Sequence, residues 1–158
     1  MSLPRGFEGY IKQGIIKKCS INKPRAEFLI SETEKTLRGL YKRIDMIGID
    51  EDSANSIVKD CYDIIMELIR AKLLLSGYSS AGQFAHEAEV SYLQKLGFSD
   101  NEISFLNDLR YFRNSVTYYG KILSVEYAKQ AVEFTKKAYP KLRQMIKQNT
   151  KNPNRIRK

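Results

Sequence analysis

The chain has 158 residues, with 27 Lys+Arg against 18 Asp+Glu, a single His, two Cys and no Trp. That length suits one domain with a core of its own, and a composition 42% hydrophobic and 28% charged is too apolar for a disordered chain. One His and two Cys cannot build a structural zinc site of the usual kind, and a Ser-His-Asp or Cys-His site would have to use His86.

The net charge of +9 is unevenly placed. Positions 141–158 hold Lys141, Arg143, Lys147, Lys151, Arg155, Arg157 and Lys158 and no acidic residue, positions 1–25 carry +5, and 26–140 is left at −3. Basic ends suit contact with a phosphate backbone or another anionic surface. They equally suit a solubilising tail whose cations complement a helix dipole. Cys19 and Cys61 have no CxxC spacing and are expected as free thiols. Arg5, Glu8 and Lys12 interrupt the first segment, so no signal-peptide core is expected there. No stretch approaches the ~18–20 apolar residues of a membrane span, and the expected location is cytoplasmic, with no membrane partner.

Apolar residues recur at helical spacing almost throughout, which predicts an all-α, up-and-down bundle of four to six helices. Residues 1–22 read as a short N-terminal amphipathic segment, with Tyr10, Ile11 and Ile15 on its apolar side. Residues 23–148 read as the bundle and 149–158 as a basic tail. Asn22 caps a helix with Pro24 in its first turn, and Gly48 closes it. Asp50, Glu51 and Asp52 open a third helix, in which Ile57, Cys61, Ile64, Ile65, Leu68 and Ile69 form the longest core stripe. Ser80 with Gln83 reads as a capping box for a fourth helix over 81–96, and Ser99 with Glu102 as a second box, opening a fifth helix that stops at Gly120. Ser124 caps a sixth, from Val125 to Gln148, which Pro140 should kink.

The fifth helix carries the functional signal. Its inward stripe is Ile103, Leu106, Leu109 and Val116, and Arg113 falls on that stripe, four after Leu109. A guanidinium there must be paired or face a cleft. Asn114 and Tyr118 stack on the neighbouring face. One alternative is purely structural, with Arg113 paired to a carboxylate of another helix such as Glu67.

The segment Leu109-Arg-Tyr-Phe-Arg113-Asn114-Ser-Val-Thr-Tyr118-Tyr119-Gly120 resembles the signature helix of the HEPN superfamily, where Arg-Asn is followed by three residues and a His. The run Tyr62 to Tyr78 and the triplet His86-Glu87-Ala88 are similar too, so that the likeness covers about residues 54–142. It implies a small, often homodimeric helical bundle that cleaves RNA without metal at a dimer cleft. Arg113 and Asn114 carry over directly. Tyr118 stands where the family has His, and Tyr119 follows.

That exchange matters chemically. Imidazole, with a pKa near 6.5, can both take and give a proton at neutral pH, whereas a phenol near 10 stays protonated. The implied outcome is affinity for RNA or a nucleotide through Arg113, Asn114, Tyr118, Tyr119 and Glu67, with weak or lost turnover. An active endoribonuclease or toxin would need Tyr118 or His86 in the missing role. A third reading is a non-catalytic partner of a small nucleotidyltransferase, as in some systems of the family. The carboxylates of Asp60, Asp63 and Glu67 share one helix face but read more simply as a solvated face than as a metal site. No Gly-rich phosphate loop or cofactor motif is present, and no cofactor is expected. Tyr111, Phe112, Tyr118 and Tyr119 could stack on bases or fill a core and dimer interface.

Overall fold

The computed structural model describes residues 3–120 and 122–151, apart from the side chains of residues 117–119 and 149–151. In chain order the elements are α1 (Phe7–Lys12), β1 (Ile16–Lys18), α2 (Lys23–Ile47), α3 (Ala54–Leu75), β2 (Tyr78–Ser80), α4 (Ala85–Ser91), α5 (Asp100–Tyr119) and α6 (Val125–Lys151). A single 3-10 turn, Tyr92–Gln94, follows α4. The fold is the expected helical bundle with a small two-stranded sheet added at one side.

Helix α3 is the axis of the bundle and packs against α2, α5 and α6. Its predicted stripe is buried without exception: Ile57, Cys61, Ile64, Ile65, Leu68 and Ile69 are each at most 1% exposed. Side chains of this kind contribute roughly 2 kcal/mol each when fully buried. Helix α2 lays Ala26, Leu29 and Leu40 on this core, and α6 lays Ala128, Ala131, Val132, Ala138, Leu142 and Ile146 on it. Phe28 of α2 faces solvent.

The caps fall largely where the residue types predict. Asn22 accepts a hydrogen bond from the Arg25 backbone N–H, and Gly48 ends α2 at φ 72°. Ser99 and Glu102 form the complete reciprocal capping box of α5, and Gly120 ends that helix in the left-handed region. The Ser124 hydroxyl accepts from the Tyr127 N–H at the start of α6, which continues helical through Pro140 and on to Lys151. Asp50 and Ser53 exchange hydrogen bonds in a turn, so α3 begins at Ala54 rather than within the acidic triplet. The Asn55 side chain accepts the Leu123 N–H at 2.8 Å and ties the loop after α5 to the start of α3.

Phe7, Tyr10 and Ile16 of the N-terminal segment are core residues, each at most 3% exposed. Two expectations need correction. The stretch 13–18 is not helical. Ile16, Lys17 and Lys18 pair antiparallel with Ser80, Ser79 and Tyr78. Gly77 makes this possible, since at φ 79° it feeds β2 while a Cβ there would lie 3.1 Å from the Cys19 carbonyl oxygen. The proposed Ser80–Gln83 capping box does not form. Ser80 is a strand residue whose hydroxyl donates to Glu89, and α4 starts only at Ala85. Both cysteines are free thiols, Cys19 exposed and Cys61 buried. Among the described residues, no helix is long and apolar enough to cross a membrane.

Candidate functional site

An open cleft of about 310 Å³ lies between α5 and the start of α4. Arg110, Arg113 and Asn114 of α5 line one wall, and Gln83, Phe84, His86 and Glu87 line the other. Two arginines three residues apart on a helix share a face, so the wall of α5 presents two guanidinium groups side by side.

Tyr62, on α3 beneath the cleft, organises both walls. Its ring is 1% exposed, and the Arg113 guanidinium carbon stands over it, 5.6 Å from the ring centroid. Its hydroxyl meets His86 Nδ1 at 3.1 Å. Burial drives the phenol's pKa well above its ordinary value, so Tyr62 stays neutral and serves as a rigid hydrogen-bonding post.

Arg113 is held but not consumed. Its carboxylate partner is Asp63, at 3.7 Å, and not Glu67 one turn further along α3. A separation of 3.7 Å is ion pairing without a hydrogen bond. The Arg113 side chain remains 25% exposed, while its buried Nε has no hydrogen-bond partner. Burial pushes the Asp63 carboxyl pKa upward and the Arg113 charge pulls it back. By contrast, Arg70 grips the nearly enclosed Glu89 carboxylate through three contacts of 3.0–3.3 Å. Arg110 is steadied from one turn earlier by Asn107, whose side-chain oxygen accepts from its Nε at 3.1 Å. Among the described residues Arg110 has no carboxylate partner.

Glu89 fixes the opposite wall. It is 1% exposed and is bound both by Arg70 of α3 and by the Ser80 hydroxyl of β2 at 2.6 Å. The carboxylate therefore pins α4 to two other elements, and His86, three residues earlier, inherits that position.

In comparison with known proteins, no family model, curated protein or solved structure matches this chain.

The structure thus brings Arg113, Asn114 and His86 into one cleft. Glu67 is half-buried outside it, with its carboxyl pKa raised by desolvation and by the Asp63 charge. The side chains of Tyr118 and Tyr119 lie outside the described residues. Phe112 packs edge-on against Tyr127 at 5.0 Å, so it belongs to the α5–α6 contact and not to a stacking surface. Asp60 pairs with Arg43, and among the described residues no group of three His, Cys, Asp or Glu side chains could hold a metal. The sequence reading missed Arg110, Asn107 and Phe84. Arg110 had a signal, being one turn before Arg113 on the same face. Phe84 had none, because its exposure depends on where α4 begins.

Proposed function

We propose that this chain binds RNA or a nucleotide through the Arg110–Arg113 cleft, with little or no turnover. The supporting observation is the convergence of two guanidinium groups with His86 and Asn114 in one open cleft, with Arg113 paired only loosely and Arg110 without a carboxylate. Planar guanidinium forks are suited to phosphate oxygens, and charge-assisted hydrogen bonds of this kind contribute roughly 1.5–3 kcal/mol each. The test is binding of a short RNA, followed by fluorescence anisotropy, to the natural chain and to Arg113→Ala. The expected loss is on the order of tenfold or more. Equal affinities would refute the reading. The likeness to the HEPN bundles adds the proposal that two copies pair, which sedimentation velocity tests.

A second reading is favoured by the position of His86. In the tautomer whose Nδ1–H donates to the Tyr62 oxygen, Nε2 is bare and could take the proton of a ribose 2′-hydroxyl. The 2′-oxygen would then attack the neighbouring phosphorus and expel the 5′-oxygen, which takes back a proton from the His86 imidazolium or from water, with Arg113 offsetting the added negative charge. His86 would here take the proton-transfer role for which a phenol near pKa 10 is a poor base at neutral pH. Incubation of structured RNA in EDTA between pH 6 and 9 decides it. The expected result is cleavage lost in both His86→Ala and Arg113→Ala, and no cleavage above those controls removes this reading.

A further inference from the structure

Two clefts flank the start of α4 and share one side chain. His86 lines the arginine cleft and also a second one, of about 450 Å³. Arg25 of α2, Arg70 of α3 and Tyr78, Ser79 and Ser80 of β2 bound the second. Arg70 is engaged by Glu89, so Arg25 is the cation that this cleft offers a ligand. Arg25 is exposed and among the described residues has no ion-pair partner.

Phe84 supplies a different chemistry. It stands at the arginine cleft immediately before α4, its side chain left 51% exposed. It also borders a hollow of about 90 Å³ that Arg5, Tyr10, Gln13 and Glu87 line. An aromatic ring kept in water beside two guanidinium groups is the pairing that single-stranded nucleic-acid sites use, stacking for the base and cations for the backbone. The acidic group on this wall, Glu87, borders that hollow and interacts with Tyr10, whose phenol pKa is pushed up to about 12 first by burial and then by Glu87. Glu87 thus borders both the arginine cleft and the hollow, and Gln13 brings an amide to the hollow. Asp63 and Glu89 are each paired with an arginine, and the half-buried Glu67 acts on Arg70.

We infer that the two clefts form one track for a single-stranded RNA, with a base stacked on Phe84 and successive phosphates held on either side of His86, by Arg110 and Arg113 and by Arg25. This rests on the phosphate-binding reading above and names the form of ligand that reading leaves open. A duplex keeps its bases paired and cannot offer one to Phe84. A mononucleotide can fill the Phe84 and Arg113 positions but leaves Arg25 unused.

The experiment measures anisotropy of a fluorescein-labelled octauridylate, with uridine 5′-monophosphate and an RNA duplex as competitors. Phe84 and Arg25 are both exposed positions. Phe84→Ala should weaken octamer binding about tenfold, and Phe84→Trp should restore it. Arg25→Ala should reduce the slope of log affinity against log salt by about 0.7, the value for one single-strand phosphate contact, while leaving mononucleotide affinity unchanged. The duplex should compete poorly. An unchanged affinity in Phe84→Ala, an unchanged salt slope in Arg25→Ala, or a duplex that competes as well as the single strand would each overturn the track. If Arg113→Ala binds the octamer as well as the natural chain, the phosphate reading itself fails. If only Arg113→Ala has an effect, that reading stands and the track does not.

Discussion

Replacing Lys72 with methionine should stabilise this protein at neutral pH. Lys72 lies in α3 among core residues and is only 7% exposed. Among the described residues it has no carboxylate partner, and burial alone lowers its pKa from 10.5 to about 8. The folded chain therefore prefers the neutral amine, while the unfolded chain keeps its proton up to the ordinary lysine value. Between pH 8 and 10.5 unfolding takes up a proton, so stability rises with pH across that window; below pH 8 the whole penalty is present. The drop from 10.5 to about 8, at 1.36 kcal/mol per unit, gives about 3 kcal/mol at pH 7. The residual contact with water reduces the expected gain in Lys72→Met to about 2 kcal/mol. Urea denaturation of both proteins at pH 7, 8, 9 and 10 reads it. The gap should be widest at pH 7 and close toward pH 10. Cys61 titrates in the opposite sense, since burial raises its thiol pKa to about 11 and ionisation of the unfolded chain costs stability above pH 9. That contribution is common to both proteins and cancels in the difference. A variant less stable than the natural chain at pH 7, or a gap that does not change with pH, would show that the ammonium is paired and the reasoning wrong.

Asp63→Asn should raise affinity for a phosphate ligand about threefold in isothermal titration, because it frees Arg113 from a partly exposed pair of the kind worth up to about 1 kcal/mol. It should cost no stability at pH 7. The carboxyl pKa is raised in the folded state, so ionised Asp63 opposes folding once the pH exceeds that raised value. Glu89→Ala should lose roughly 3–5 kcal/mol in urea denaturation, since it leaves Arg70 and the Ser80 hydroxyl without their common partner. A loss below about 1 kcal/mol would mean that Glu89 does not pin α4. With a disulfide-exchange reagent at pH 8, Cys19 should react at once and Cys61 only as fast as the chain unfolds.

Much of the fold could be read from local chemistry. The α3 stripe, the Asn22 cap, the Ser99–Glu102 box and the Gly120 stop each depend on residues within a turn or two of one another, and each appears as expected. The failures are tertiary. Strands β1 and β2 span three residues each, too short to show alternation, and they exist because Gly77 lets two distant backbones approach. Ser80 and Gln83 have the right spacing for a cap, but the Ser80 hydroxyl gains more from the buried Glu89 carboxylate nine residues on. Once Ser80 is committed to a strand, the fourth helix starts late and Phe84 is stranded outside it. The same displacement puts a ring at the mouth of the cleft and places His86 in the first turn of α4.

The site follows the same division. That Arg113 needs either a partner or a cleft follows from its position on an apolar stripe. Which carboxylate partners it depends on how far α5 is displaced along α3, and a shift of one turn exchanges Glu67 for Asp63. That shift has a chemical consequence. Asp63 meets Arg113 at 3.7 Å from a half-buried position, and the guanidinium rests mainly on the face of Tyr62. A cation held by a ring face retains donors that a bidentate carboxylate would have taken, as Glu89 takes those of Arg70. The same ring carries the hydroxyl that holds His86. One buried tyrosine of α3 thus sets the separation of the arginine wall from the imidazole wall. Whatever enters the cleft meets two groups placed by one rigid side chain, which lowers the ordering cost of gripping a phosphate between them.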